Sequence, residues 1–117
     1  MSSKPSNPTL PQLRRHAPVF AALGDEMRLK LLARLCERAP CSISQLAEGS
    51  PITRQAITKH LRVLEGAGLV RGEAAGRECL FEIEPKPLEQ VRDYLDLVSR
   101  QWDEALARLK TFVEKDT

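Results

Sequence analysis

The side chains best equipped for recognition chemistry lie together in one run, "TRQAITKHLRVLEG", residues 53–66. Wound at about 100° per residue, the stretch Arg54 to Glu65 separates into two faces. Arg54, Gln55, Thr58, Lys59, Arg62 and Glu65 share one face, and Ala56, Ile57, His60, Leu61, Val63 and Leu64 share the other. The polar face begins with guanidinium, amide, hydroxyl and ammonium groups. These groups bond base edges and phosphates in a DNA major groove. Thr53 is suited to cap the helix, because its hydroxyl can accept a first-turn N–H. Gly66 and Gly68 offer the left-handed conformation that ends one. A solvated face carries the same cations for solubility, so the neighbouring elements decide between the two readings.

Catalytic chemistry finds less support. The two histidines, His16 and His60, lie on unrelated segments. There is no Gly-rich phosphate loop, and no nucleophile stands beside a plausible base, so neither an enzyme nor a bound cofactor is expected. His60 falls on the packed side of its helix, which suits a hydrogen-bonded core position or a phosphate contact better than metal ligation. The three cysteines, Cys36, Cys41 and Cys79, cannot all pair within one chain and fit a reducing compartment. Cys36 and Cys41 are five residues apart across Pro40, which leaves a redox switch open as an alternative. Cys36 also fits as a small hydrophobe on an apolar helix face.

The 117 residues, 42% hydrophobic and 29% charged, suit one domain with a modest core. "MSSKPSNPTLPQ" and the residues to 15 read as a flexible arm, and 16–117 as the folded unit. A net charge of +2 requires any nucleic-acid contact to come from local placement of charge. Residues 1–81 hold 12 Lys+Arg against 7 Asp+Glu, hence +5, and residues 82–117 hold 6 against 9, hence −3. No stretch reads as an export signal or a membrane span. The expectation is a cytoplasmic protein without a membrane partner.

Around the opening run the pattern is mainly helical. A first helix is expected from about Pro18 to Leu23, with proline in its first turn. "GDEMRLKLLARLCER" gives a second, capped by Asp25, with Leu29, Leu32 and Cys36 on its apolar face and Pro40 closing it. "SISQLAEGS" gives a short third helix with Ser44 as N-cap, and "PIT" turns the chain into the fourth. Two helices joined by a tight turn, the second with a polar reading face, make a helix-turn-helix. Leu69–Glu73 and Glu78–Ile83 then read as strands of a hairpin wing turning at Ala75 and Gly76. Arg71 and Arg77 on it are placed to meet a phosphate or the minor groove. Ser44, Gln45 and Arg62 are candidate phosphate contacts beside the base readers, and Thr53 at the start of the helix counts among the candidate DNA-binding residues. Leu88, Val91, Leu95, Val98, Trp102, Ala105, Leu109 and Phe112 form a heptad-like seam on a fifth helix. So long a stripe calls for a second copy of the chain. Val19 and Phe20 of the first helix join it in the expected dimer interface. The fold class is thus mainly α with a small β-hairpin, a winged helix-turn-helix of about five helices.

"AALGDEMRLKLLARL" together with "SISQLAEGSPITRQAITKHLRVLEGAGLVRGEAAGREC" resembles the ArsR/SmtB family of winged-helix transcriptional repressors over roughly residues 17–115, most specifically in "ITKHLRVLEGAGLV". The resemblance implies a symmetric dimer that leaves its operator, an imperfect palindrome of double-stranded DNA, when an inducer binds. It places base contacts at Arg54, Gln55, Thr58 and Lys59 and the wing at Gly76-Arg77. Many members sense metals through a Cys-Val-Cys motif that aligns here with Ser42-Ile43-Ser44. Hydroxyls are poor ligands for such metals, and the C-terminal segment lacks the histidines of the alternative site. No metal is therefore expected, and the inducer, whether a small molecule or an oxidant, stays unidentified. The rival to DNA binding is a winged helix that presents Arg54 to Arg62 to an acidic protein surface.

Overall fold

The computed structural model describes residues 7–115. Helix α1 spans Leu10–Leu23, α2 Glu26–Arg38, α3 Ile43–Ala47, α4 Arg54–Gly66 and α5 Pro85–Lys115; the strands are β1 Cys41–Ser42, β2 Val70–Ala75 and β3 Glu78–Ile83. The architecture is the expected one, mainly helical with a hairpin wing, and it adds a strand. β1 pairs antiparallel with β3, so the sheet order is β1-β3-β2. At two residues, β1 is too short to leave an alternation signal in the sequence.

Helix α1 begins earlier than expected. Thr9 and Gln12 form a capping box, the Thr9 hydroxyl accepting from Gln12 N and the Gln12 side chain accepting from Thr9 N. Residues 10–15 of the proposed arm are therefore helical, and Pro18 lies inside the helix instead of in its first turn. Residues 1–6 of that arm lie outside the described residues. The packed stripe of α2 is also shifted. Leu31, Leu32 and Leu35 are buried, while Leu29 and Cys36 are exposed. The shift is a rotation of about 100°, one residue's worth. Helix α3 is capped by Ser42, not Ser44: the Ser42 hydroxyl accepts from Gln45 N, and Gln45 Oε1 accepts from Ser42 N.

Helix α4 ends in a Schellman motif. Gly68 takes φ +78, its N–H bonds Glu65 O at 2.9 Å, and Leu69 N bonds Leu64 O at 2.9 Å. Leu64 and Leu69 are both fully buried, the apolar contact that accompanies this stop. Gly66 is simply the last helical residue. The core gathers Ile57, Leu61 and Leu64 of α4 with Leu35, Leu46, Val70 and Phe81. Val63, expected on the packed face, is exposed instead.

Helix α5 has only its first turns on this core. Val91 is buried there and Leu88 packs against it, whereas every described residue from Trp102 onward is exposed. The radius of gyration, 19.3 Å, exceeds the ~13 Å of a compact chain of this length. The projecting end of α5 accounts for the excess. No helix among the described residues is long and apolar enough to cross a membrane.

Candidate nucleic-acid interface

Helix α4 places its polar face where the sequence pattern puts it. Thr53 caps it, with Oγ1 accepting from Ala56 N at 3.1 Å. Ile57, Leu61 and Leu64 anchor the inner face. Arg54, Gln55, Lys59 and Arg62 are exposed on the outer one. Among the described residues, none of these cations nor Arg77 makes an ion pair with a carboxylate. Thr58 is half-buried, and its hydroxyl donates to Arg54 O at 2.8 Å. Only its acceptor capacity is left for an incoming group.

Two polar contacts that the sequence pattern does not reveal hold α4 in place. Arg28 of α2 donates through Nε to Ala22 O at 2.6 Å and through Nη2 to Ala21 O at 3.4 Å, and its Nη1 lies 3.3 Å from His60 Nδ1. One guanidinium thus ties the end of α1 to α4. This requires His60 Nδ1 to be an acceptor, since arginine only donates, and it gives His60 a positioning partner on the packed side. At the other end, Glu65 Oε2 accepts from Gly72 N at 3.4 Å and links α4 to the wing. Nothing in "GDEMRLKLL" distinguishes Arg28 from a solvated arginine.

The wing is one residue out of the expected register. Ala75 pairs with Glu78, so the two-residue loop is Gly76-Arg77 instead of Ala75-Gly76. Gly76 has φ +65, and among the described residues only glycines have positive φ, so that of Arg77 is not positive, the sign pattern of a type II′ hairpin turn. Arg77 is consequently exposed at the tip. Arg71 is placed differently. It meets Glu82 at 3.0 Å, Glu84 at 2.7 Å and Glu73 at 3.3 Å. The hydrogen bond that Arg71 donates to Glu82, then the charges of Glu84 and Glu73, raise its pKa above the ordinary arginine value. Three carboxylates surround this one cation, a setting that disfavours a phosphate. Of the other candidates, Ser44 is half-buried, and exposed Gln45 has its amide oxygen committed to the α3 cap.

The residues at the start of α3 do not fit a metal. The Ser42 hydroxyl is buried and accepts the Gln45 N–H, and among the described residues no three His, Cys, Asp or Glu side chains cluster to hold an ion. The thiols are free. Cys36 is exposed, and buried Cys41 donates to Arg38 O at 3.2 Å.

The expected dimer residues divide into two groups. Val19 and Val91 are buried in the chain's own core and Leu88 packs against it, so they are not on a free face. Phe20, Leu95, Trp102 and Leu109 are exposed and Val98 is half-buried. Leu106, Phe112 and Val113 extend this surface along α5, and Leu10 and Leu13 extend it on α1. Trp102 is 65% and Phe112 67% exposed.

Comparison with known proteins agrees with this geometry. A family model described as a helix-turn-helix domain matches residues 23–73. The HTH-type transcriptional regulator Rv2034 of Mycobacterium tuberculosis is 32% identical over 97 residues, 83% of this chain and 87% of the relative. The arsenical resistance operon repressor of Bacillus subtilis is 30% identical over 71 residues, 61% of this chain and 68% of that protein. Among solved structures, an ArsR-like transcriptional regulator from Rhodococcus sp. RHA1 superposes with a TM-score of 0.79 at 38% identity, covering 92% of this chain and 98% of that one.

Proposed function

Because the chain belongs to the ArsR/SmtB family of winged helix-turn-helix transcriptional regulators, we propose that two copies together lay their α4 helices into successive major grooves of an imperfectly palindromic operator, repress transcription there, and leave when a signal binds. The single observation that carries the reading is the outer face of α4: Arg54, Gln55, Lys59 and Arg62 are exposed without carboxylate partners, on a helix anchored by buried leucines. Arg54, Gln55 and Lys59 read base edges, Thr58 contributes an acceptor, and Arg62 with Ser44 and Gln45 holds phosphates. Arg77 at the wing tip reaches the flanking backbone or minor groove. Arg71 is withdrawn from the contact set by its carboxylates.

The second copy is supported by the apolar surface of α1 and α5. Paired through it, two protomers span half-sites about 34 Å apart, one turn of the duplex. Selection of bound fragments from a random DNA pool tests the reading. The expected product is a palindrome with half-sites at that spacing, protected by two protomers. A pool that stays random after repeated selection would overturn it.

A further inference from the structure

Beside the helix-turn-helix a cavity of about 360 Å³ opens between α2 and α3, lined by Arg34, Arg38, Gln45, Leu46 and Glu48 together with Cys41 and Gly49. A second hollow of about 180 Å³ shares Arg34, Leu46 and Gly49 with it and runs on past Lys30. Lys30, Arg34 and Arg38 follow one another at i, i+4 and i+8, so one face of α2 turns three cations toward this groove. Lys30 is engaged by Glu26 at 3.4 Å. Arg34 and Arg38 have no ion-pair partner among the described residues.

Arg34 is held in place. Its Nη1 donates to Leu46 O at 2.6 Å and its Nη2 to Glu48 O at 2.8 Å. Those are the carbonyls at the end of α3. Neutral carbonyls orient the guanidinium without cancelling its charge, and three of its five N–H donors stay available. The Glu48 carboxylate at the rim offsets one of the two charges, which leaves an excess of one positive charge. Leu46 supplies an apolar wall. A volume in the range of small-ligand sites, lined by a fixed cation, a second cation one turn away and an amide, is complementary to a small anion.

We propose that this α2–α3 groove binds a small anion, a carboxylate or a phosphate, between Arg34 and Arg38. The binding claim stands on the groove alone. Its consequence for DNA rests on the function proposed above: an anion held on the remaining donors of Arg34 is coupled through the bonds to Leu46 O and Glu48 O to the end of α3, against which α4 is set.

Calorimetric titration of the full chain with benzoate, and separately with inorganic phosphate, at constant ionic strength tests it. Either anion should bind saturably at one site per chain, and which one does so identifies the head group. Arg38→Gln, an exposed position outside both the core and the reading face, should weaken that binding roughly tenfold, the loss expected for one charge-assisted hydrogen bond, with an unchanged far-ultraviolet spectrum. Operator affinity of the unmodified chain should shift with the anion, and that of Arg38→Gln should need roughly tenfold more anion for the same shift. Non-saturating heats with both anions, or equal affinity in Arg38→Gln, would overturn the site. A chain that binds anion but no DNA would overturn the regulatory consequence and the operator reading together, and leave the site standing.

Discussion

A methyl group added at position 72 has nowhere to go. It would lie 2.9 Å from both Phe81 Cε1 and Cys79 Sγ, because Gly72 sits opposite Phe81 in the hairpin. Gly72→Ala should therefore destabilise the fold by ~1–3 kcal/mol, read as a lower denaturation midpoint; an unchanged midpoint would mean that the wing relaxes freely. On the reading face, Gln55→Ala should cost on the order of 1–3 kcal/mol of operator binding and relax preference at one base pair, while Arg77→Ala should weaken all sequences evenly and reduce the salt slope by about 1. Binding isotherms on operator variants check both. The exposed polar face of α4 was legible because residue type and helical period coincide from Arg54 to Arg62. The fate of Arg71 was not, since its three carboxylates converge through strand pairing and the chain beyond β3. Arg28 escaped for the same reason: its partners come from α1 and α4, and no local pattern announces a contact across such separations.

At the scale of elements, capping explains both what was readable and what slipped. The Thr53 cap and the Asp25 cap are where the sequence puts them, each a short polar residue ahead of an apolar period. Thr53→Ala should lower stability by ~1 kcal/mol and blunt operator binding, since the first turn of α4 carries Arg54 and Gln55. Gly68→Ala should cost about 1–2 kcal/mol, the strain of a Cβ in the left-handed region; chemical denaturation measures both. Helix α1 starts before the point its sequence suggests, although "TLPQ" spells the T-x-x-Q box, because the prolines around it read as a loop. Ser42 precedes α3 and Ser44 lies in its first turn, and only the reciprocal bonds with Gln45 decide which of them is the cap. For α2, a stripe of leucines at 29, 31, 32 and 35 admits two packing faces, and the core selects the one bearing Leu31 and Leu35.

At the scale of the molecule, the heptad-like seam of α5 is divided between two tasks. Its first turns complete the chain's own core, and its far half projects apolar side chains outward. A single periodicity count cannot separate these tasks, because both want hydrophobes at the same spacing. The sole tryptophan, Trp102, is 65% exposed in the single chain, so pairing through α5 should move its emission to the blue as concentration rises. Leu109→Glu should abolish that shift and weaken operator binding; an emission maximum independent of concentration would speak against this interface. The central claim, a paired molecule reading a duplex through α4, is tested most directly by titrating a labelled operator at a series of salt concentrations. The account predicts a log–log slope of about −0.9 for each phosphate neutralised, with the selected operator bound far more tightly than a scrambled duplex. A flat salt dependence with equal affinity for both duplexes would contradict it.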